Sequence, residues 1–192
     1  MIDKMLLPEI ETERLRLRMY RRAELEDVYR LITDRNVRRF LPEYAIEKAD
    51  VLASLPRRIQ RWRENGFAQL GVFEKASGKL TGYCGLQYLD KTPEVEIYYG
   101  FFKEFWGKGY GSEAAKALLR FGFEEAKLEK IVGATHLENF ASQGVLQNIG
   151  LKREKEIRQL YGTDSVYFSL LREDYQPDAA AKYDLTFTKI DD

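Results

Sequence analysis

Residues 105–115 read Phe-Trp-Gly-Lys-Gly-Tyr-Gly-Ser-Glu-Ala-Ala, with glycines at 107, 109 and 111. The stretch follows a strand-like run from Val95 to Phe102. It precedes a segment in which Ala114, Ala115, Leu118, Leu119 and Ala126 recur at helical spacing. Strand, glycine loop and helix in that order set free backbone N–H groups at the start of a helix. The helix dipole adds partial positive charge there, and glycines let an anion come close to the backbone. The predicted guest is a phosphate or pyrophosphate. The loop lacks the G-x-x-x-x-G-K-[ST] order of a P-loop. Its even glycine spacing differs from the G-x-G-x-x-G dinucleotide fingerprint, which also belongs after the first strand of a βαβ series.

Length and charge narrow the classes that remain. A chain of 192 residues suits one domain with a sizeable core. Lys+Arg and Asp+Glu both number 31, so the net charge is zero. That argues against charge-driven binding to nucleic acid or membranes. No apolar run approaches the ~20 residues of a membrane span, and residues 1–10 lack a signal-peptide core. A cytoplasmic location is the expectation. One cysteine, Cys84, excludes an internal disulfide. With a single histidine, His136, no metal site is expected.

Thr12 to Tyr20 alternates Leu15, Leu17 and Met19 with Arg14, Arg16 and Arg18, the pattern of a half-buried strand. The arginines read as a solvated face paired with carboxylates. Glu24 to Ile32 carries Leu25, Val28, Tyr29 and Ile32 at helical spacing. A second helix is predicted over Glu47–Asn65, with Pro56 kinking it or starting a new turn and Gly66 as its cap. Its arginines, Arg57, Arg58, Arg61 and Arg63, read as a solvated face. Strands follow over Phe67–Phe73, Leu80–Leu89 and Val95–Phe102, the first two joined by a hairpin turn at Ser77-Gly78. Beyond the loop helix come a short buried strand over Ile131–Thr135 and a helix capped by Asn139 and Gly150. Two last strands are predicted around Tyr161-Gly162. Cys84 reads as a core residue and His136 as structural. The tail, 176–192, alternates Tyr183, Leu185 and Phe187 with polar residues, as an added strand or a dimer arm would.

A second motif lies about 30 residues past the loop: Asn139-x-x-Ser142-x-x-Val145-Leu146-x-Asn148-x-Gly150-Leu151. Together the two motifs resemble the acetyl-CoA-binding motifs of the GNAT N-acetyltransferase superfamily. The opening Glu-Thr-Glu-Arg-Leu-Arg-Leu-Arg and Trp-Gly-Lys-Gly-Tyr resemble its ribosomal-protein N-terminal acetyltransferase branch. Three positions depart from the usual pattern: Trp106, Asn148 and Leu151. A fourth, Leu146, stands where many relatives carry a Tyr.

The resemblance covers roughly residues 11–175 and implies an α/β (α+β) fold within one domain, 1–192. Its sheet would be mixed, mostly antiparallel and six- to seven-stranded, with helices on both faces. It implies acetyl-CoA as co-substrate and direct attack by a primary amine, either a protein N-terminus or a small molecule such as a polyamine, aminoglycoside or amino acid derivative. A homodimer is compatible with the tail. A different class, a non-catalytic acyl-CoA-binding sensor, is also open because of Leu146.

By the same resemblance, Trp106, Gly107, Lys108, Gly109, Tyr110, Gly111 and Ser112 hold the cofactor's phosphates. A β-bulge around Tyr98, Tyr99 and Gly100 would aim backbone N–H groups at the thioester oxygen. Glu96 is the general base, with Glu94 on the same face in reserve. Asn139 contacts the pantetheine arm, and Ser142 lies by the sulfur.

Overall fold

The computed structural model describes residues 6–89, 91–179 and 181–189. Nine strands form one sheet in the order β7-β8-β6-β5-β4-β3-β2-β1-β9. They span Leu6–Glu11 (β1), Leu15–Arg18 (β2), Gln69–Glu74 (β3), Leu80–Tyr88 (β4), Val95–Phe101 (β5), Lys130–His136 (β6), Lys152–Leu160 (β7), Thr163–Leu171 (β8) and Asp184–Lys189 (β9). The helices are Leu25–Thr33 (α1), Lys48–Leu52 (α2), Leu55–Asn65 (α3), Tyr110–Arg120 (α4) and Phe140–Asn148 (α5).

The sheet is wider than the expected six or seven strands, for two reasons. The chain from Leu6 to Arg18 is a hairpin, not a single strand starting at Thr12. The tail then adds β9 along β1 of the same chain, with Leu6 opposite Lys189 and Glu11 opposite Asp184. The tail is therefore an added strand in its own sheet, not an arm reaching elsewhere. The predicted 47–65 helix is two helices, because Pro56 sits in the first turn of α3, where its missing N–H costs nothing. α4 passes into a π-helical turn over Phe121–Glu125.

Alternation along the strands divides the core. Leu15, Leu17, Leu70, Val72, Cys84, Leu86 and Ile97 pack on the α4 side with Ala114, Ala115 and Leu118. Tyr20, Phe73, Leu80 and Tyr83 meet Leu25, Val28 and Leu31 of α1 and Val51 of α2. Arg14, just before β2, and Arg16 and Arg18 within it are paired as the alternation implied: Arg14 with Glu113, Arg16 with Glu9 and Glu11, and Arg18 with Glu24.

One pairing matters most for the site. β5 and β6 run parallel and share a single register pair, Glu96 opposite Val132. Beyond Glu96, β5 continues five residues to Phe101 with no paired partner on that side. On its other side β5 stays in unbroken one-for-one register with β4 from Val95 to Phe101. The expected β-bulge is absent. The opening between β5 and β6 comes from strand divergence, which frees backbone groups without inserting a residue.

Candidate active site

A cleft of about 1390 Å³ opens where β5 and β6 part. It is lined by β5 from Glu96 to Phe101, by the loop before α4, by the start of α5 and by the chain around α3.

One end of the cleft, where the phosphates are expected, is built by the glycine loop. Gly107 and Gly109 have φ of +72° and +78°, which L side chains adopt only under strain. Gly111 has an ordinary backbone, and a Cβ there would make normal contacts with Val145 and Phe101. Two of the three glycines are therefore conformational requirements. Gly109 begins α4, and helix geometry leaves the first amides unpaired inside the helix. Gly111 and Ser112 line the cleft at this end. The loop is fixed from behind. Arg14 donates to the Lys108 carbonyl at 2.9 Å and pairs with Glu113 in the first turn of α4 at 2.6 Å. The Trp106 indole donates to the Phe101 carbonyl at 2.7 Å. Lys108 is not among the lining residues, and its ammonium lies 4.9 Å from the Phe105 ring. Tyr110 turns into the core, and its hydroxyl donates to Glu74 at 2.6 Å.

The middle of the cleft is the β5 backbone. Phe102 N–H donates to Thr81 and Leu89 N–H to Glu94, so the even-numbered residues of β5 turn their amides toward β4. The amides of Tyr99 and Phe101 then face the opening. A bulge is not needed to present donors there. This end suits a polar chain lying along β5 and an anion beyond it at α4, the shape of an acyl-CoA.

The residues expected to carry the chemistry lie on both faces of β5. Tyr99 reaches across to α5, where its hydroxyl donates to the Ser142 carbonyl at 3.0 Å and lies 3.1 Å from Ser142 Oγ. Asn139 caps α5 by accepting from Ser142 N–H at 3.3 Å. Asn139, Ser142 and Tyr99 are thus one connected unit. Burial, outweighing the Ser142 hydrogen bond, pushes the Tyr99 phenol well above its usual pKa, so it stays a donor. Tyr98 lies on the other face and its phenol is likewise raised by burial. Leu146 is a core residue, 1% exposed.

Glu96 is only 3% exposed yet lines the cleft. Gln87 Nε2 donates to it at 2.7 Å, and the Tyr161 hydroxyl donates to the same oxygen. Tyr161 was not identified from the sequence. It sits in the β7–β8 turn with φ +53°, an unusual conformation for a bulky residue. Its hydroxyl reaches a carboxylate 65 residues away in sequence. A non-glycine, non-asparagine residue holding the first turn position ahead of Gly162 was the signal available. Tyr161→Phe is expected to lower kcat about tenfold with little change in the KM for acetyl-CoA, as a lost hydrogen bond to a charged group implies. Steady-state kinetics measures both.

Glu94 is not a lining residue. Lys130 donates to it at 2.8 Å, Tyr167 at 2.6 Å and Arg158 at 3.4 Å. Burial alone would raise its pKa, but these donors hold the carboxyl below its usual 4.5. A depressed carboxylate stabilises the fold above its unfolded pKa and loses that contribution as pH falls through the folded value. Glu94→Gln is therefore expected to lower stability at pH 7 and to have little effect near pH 3, measured by urea unfolding at both.

His136 stacks on Phe40 and accepts from Glu138 N–H at 3.1 Å. Cys84 is fully buried, and burial raises its thiol well above the normal range, so it is no nucleophile. Among the described residues no group of His, Cys, Asp and Glu is placed to hold a metal, and no helix is long and apolar enough to cross a membrane.

Comparison with known proteins decides the family. The acetyltransferase (GNAT) domain family matches residues 14–152, most of the chain. The chain belongs to the GNAT family. It is an acetyl-CoA-dependent N-acetyltransferase of that family. YnaD of Bacillus subtilis, named as an uncharacterized N-acetyltransferase, is 27% identical over 171 residues, covering 86% of this chain and 98% of its own. Two solved structures share the GNAT fold at lower identity. The ribosomal-protein-S5-alanine acetyltransferase of Vibrio fischeri has a TM-score of 0.73 at 18% identity, covering 88% of this chain and 99% of its own. The spermidine N-acetyltransferase of Vibrio cholerae, in complex with CoA and spermine, has a TM-score of 0.70 at 21% identity, covering 84% and 97%.

Proposed function

We propose that this GNAT enzyme acetylates the N-terminal amine of a protein, with ribosomal proteins of the cytoplasm among the candidate acceptors. The fold does not choose the acceptor, since a protein acetyltransferase and a polyamine acetyltransferase match it about equally well. The observation that carries the reading is the mouth of the cleft. Leu41, Tyr44 and Phe140 are large apolar side chains left 43–74% exposed, and all three line it. An apolar rim around a cleft this large suits a polypeptide better than a slender polyamine.

In this reading each residue has one task. Acetyl-CoA, when bound, supplies its acetyl group as a thioester. Amides at the start of α4 hold its phosphates, and the Tyr99 and Phe101 amides orient the arm and meet negative charge that develops on the acetyl oxygen. Glu96 removes the proton that the acceptor ammonium must lose before its nitrogen attacks. Gln87 and Tyr161 hold that carboxylate in place. The Tyr99 hydroxyl, tied to Ser142, stands ready to donate to the departing thiolate.

The test is CoA release by the purified protein with N-terminal peptides, polyamines and aminoglycosides as acceptors. Release with peptides, and N-terminal acetylation of them by mass spectrometry, supports the reading. Release with polyamines or aminoglycosides alone overturns it.

A further inference from the structure

One wall of the cleft is made of arginine. Arg38 and Arg39, in the chain after α1, and Arg57, Arg58 and Arg61 of α3 all line it. Among the described residues the only carboxylates lining it are Glu96 and Glu138. Glu96 already accepts from Tyr161 and Gln87.

Among the described residues none of these five arginines is in an ion pair. The partners they do have are neutral. Arg38 donates to the Pro42 carbonyl at 2.7 Å, Arg57 to the Asp50 carbonyl at 3.2 Å, and Arg58 to Ser54 Oγ at 3.1 Å and to Gln69. This contrasts with Arg14, Arg16 and Arg18 at and just before β2, each of which faces a carboxylate. Arg57 and Arg61 are four residues apart on one helix, a spacing at which like charges repel and weaken the helix slightly. Arg38, Arg39 and Arg58 also lie over the rings of Tyr44, Phe40 and Tyr20, contacts that hold the side chains in place but leave their charge without a carboxylate. In a chain with equal numbers of acidic and basic residues, positive charge gathered in this way suits something negative that binds.

The wall also has a definite place relative to the reacting amine. Arg58 holds Gln69, Gln69 lies opposite Gly85, and Gly85 lies opposite Tyr98. Tyr98 is two residues from Glu96 on the same face of β5. Two strand spacings amount to roughly 10 Å, about three residues of extended peptide. The cofactor's phosphates are accounted for elsewhere, at the glycine loop beyond Phe101.

We propose that this wall selects acceptors whose amine is followed, within about three residues, by carboxylate side chains, so that the substrates are acidic protein N-termini. The proposal rests on the reading of a protein N-terminus as the acceptor. It also implies that polycationic amines are repelled, unlike the spermidine named for the Vibrio cholerae relative.

Three hexapeptides with the same first residue, carrying Asp and Glu, Asn and Gln, or Lys at positions 2–4, separate the possibilities. Each is assayed at low and high salt with the wild type and with the double variant R57Q/R61Q, whose substituted side chains hold no other side chain in the fold. The wild type is expected to prefer the acidic over the neutral peptide by about tenfold in kcat/KM, the effect of two exposed charge contacts. Salt and the double variant should each shrink that ratio toward one, and R61E should favour the Lys peptide.

Equal rates for all three peptides would overturn the inference while leaving the N-terminal reading intact. A raised KM for acetyl-CoA in R57Q/R61Q, with peptide preference unchanged, would assign the arginines to cofactor phosphates and also overturn it. Acetylation of small anionic amines but of none of the peptides would overturn both readings.

Discussion

Replacing Glu96 with Gln is expected to lower kcat by roughly 10²–10⁴, the range over which a positioned general base contributes. The amide is close in size to the carboxylate and keeps an oxygen for Tyr161 and Gln87 to bond, so the buried site retains its packing. The affinity for acetyl-CoA should stay near wild type, because the phosphate end lies beyond Phe101 at the opposite end of the cleft. Calorimetric titration of acetyl-CoA, run beside turnover assays, separates the two effects. Unchanged turnover would remove Glu96 from the mechanism. Lost turnover together with lost cofactor binding would point instead to a disturbed cleft.

Trp62→Ala has the largest expected effect on stability, a loss of about 3–5 kcal/mol. Trp62 is 1% exposed, and its ring lies 5.9 Å from that of Phe121 in the π-helical turn after α4. Its indole N–H donates to the Leu6 carbonyl at 2.6 Å. One side chain thus ties α3 to the first strand and to the turn that ends α4. Domains hold only about 5–15 kcal/mol in reserve, so this single change removes a large fraction of it. Urea unfolding should show a lower midpoint with an unchanged slope. Trp62→Phe, which keeps most of the volume but not the donor, should recover most of the loss. Because α3 carries Arg57, Arg58 and Arg61, the alanine variant should also lose discrimination among acceptors before it loses acetyl-CoA binding.

The glycine loop and the α5 cap were legible in the sequence because their information is local. Positive-φ glycines, a helix start and an Asn cap all act within a few residues, and Gly107, Gly109 and Asn139 are where the sequence put them. The family's chain order supplied Glu96. Features that depend on distant contacts were not legible. Tyr161 reads as a turn residue until the β7–β8 hairpin folds over Glu96. The arginines of α3 read as a solvated face because periodicity tells which residues share a face, not what that face looks onto. The absent bulge has a similar cause. The family implies a bulge to expose amides on β5, whereas here divergence from β6 exposes them. β1 was missed because Pro8 and a short apolar patch are weak strand signals, and its pairing with β9 is fixed by residues far away.

That last pairing bears on how the chain is made. Glu9 and Thr186 face each other across 177 residues, so on a ribosome β1 emerges long before its outer partner. Every element of the cleft, from the end of α1 through β8, is synthesised before β9 exists. The catalytic half can therefore assemble while one side of β1 still presents bare amides and carbonyls to any passing strand. The window for mispairing closes only when the tail docks. A chain shortened by its final strand would keep the chemistry and lose that protection, remaining active but prone to associate edge to edge.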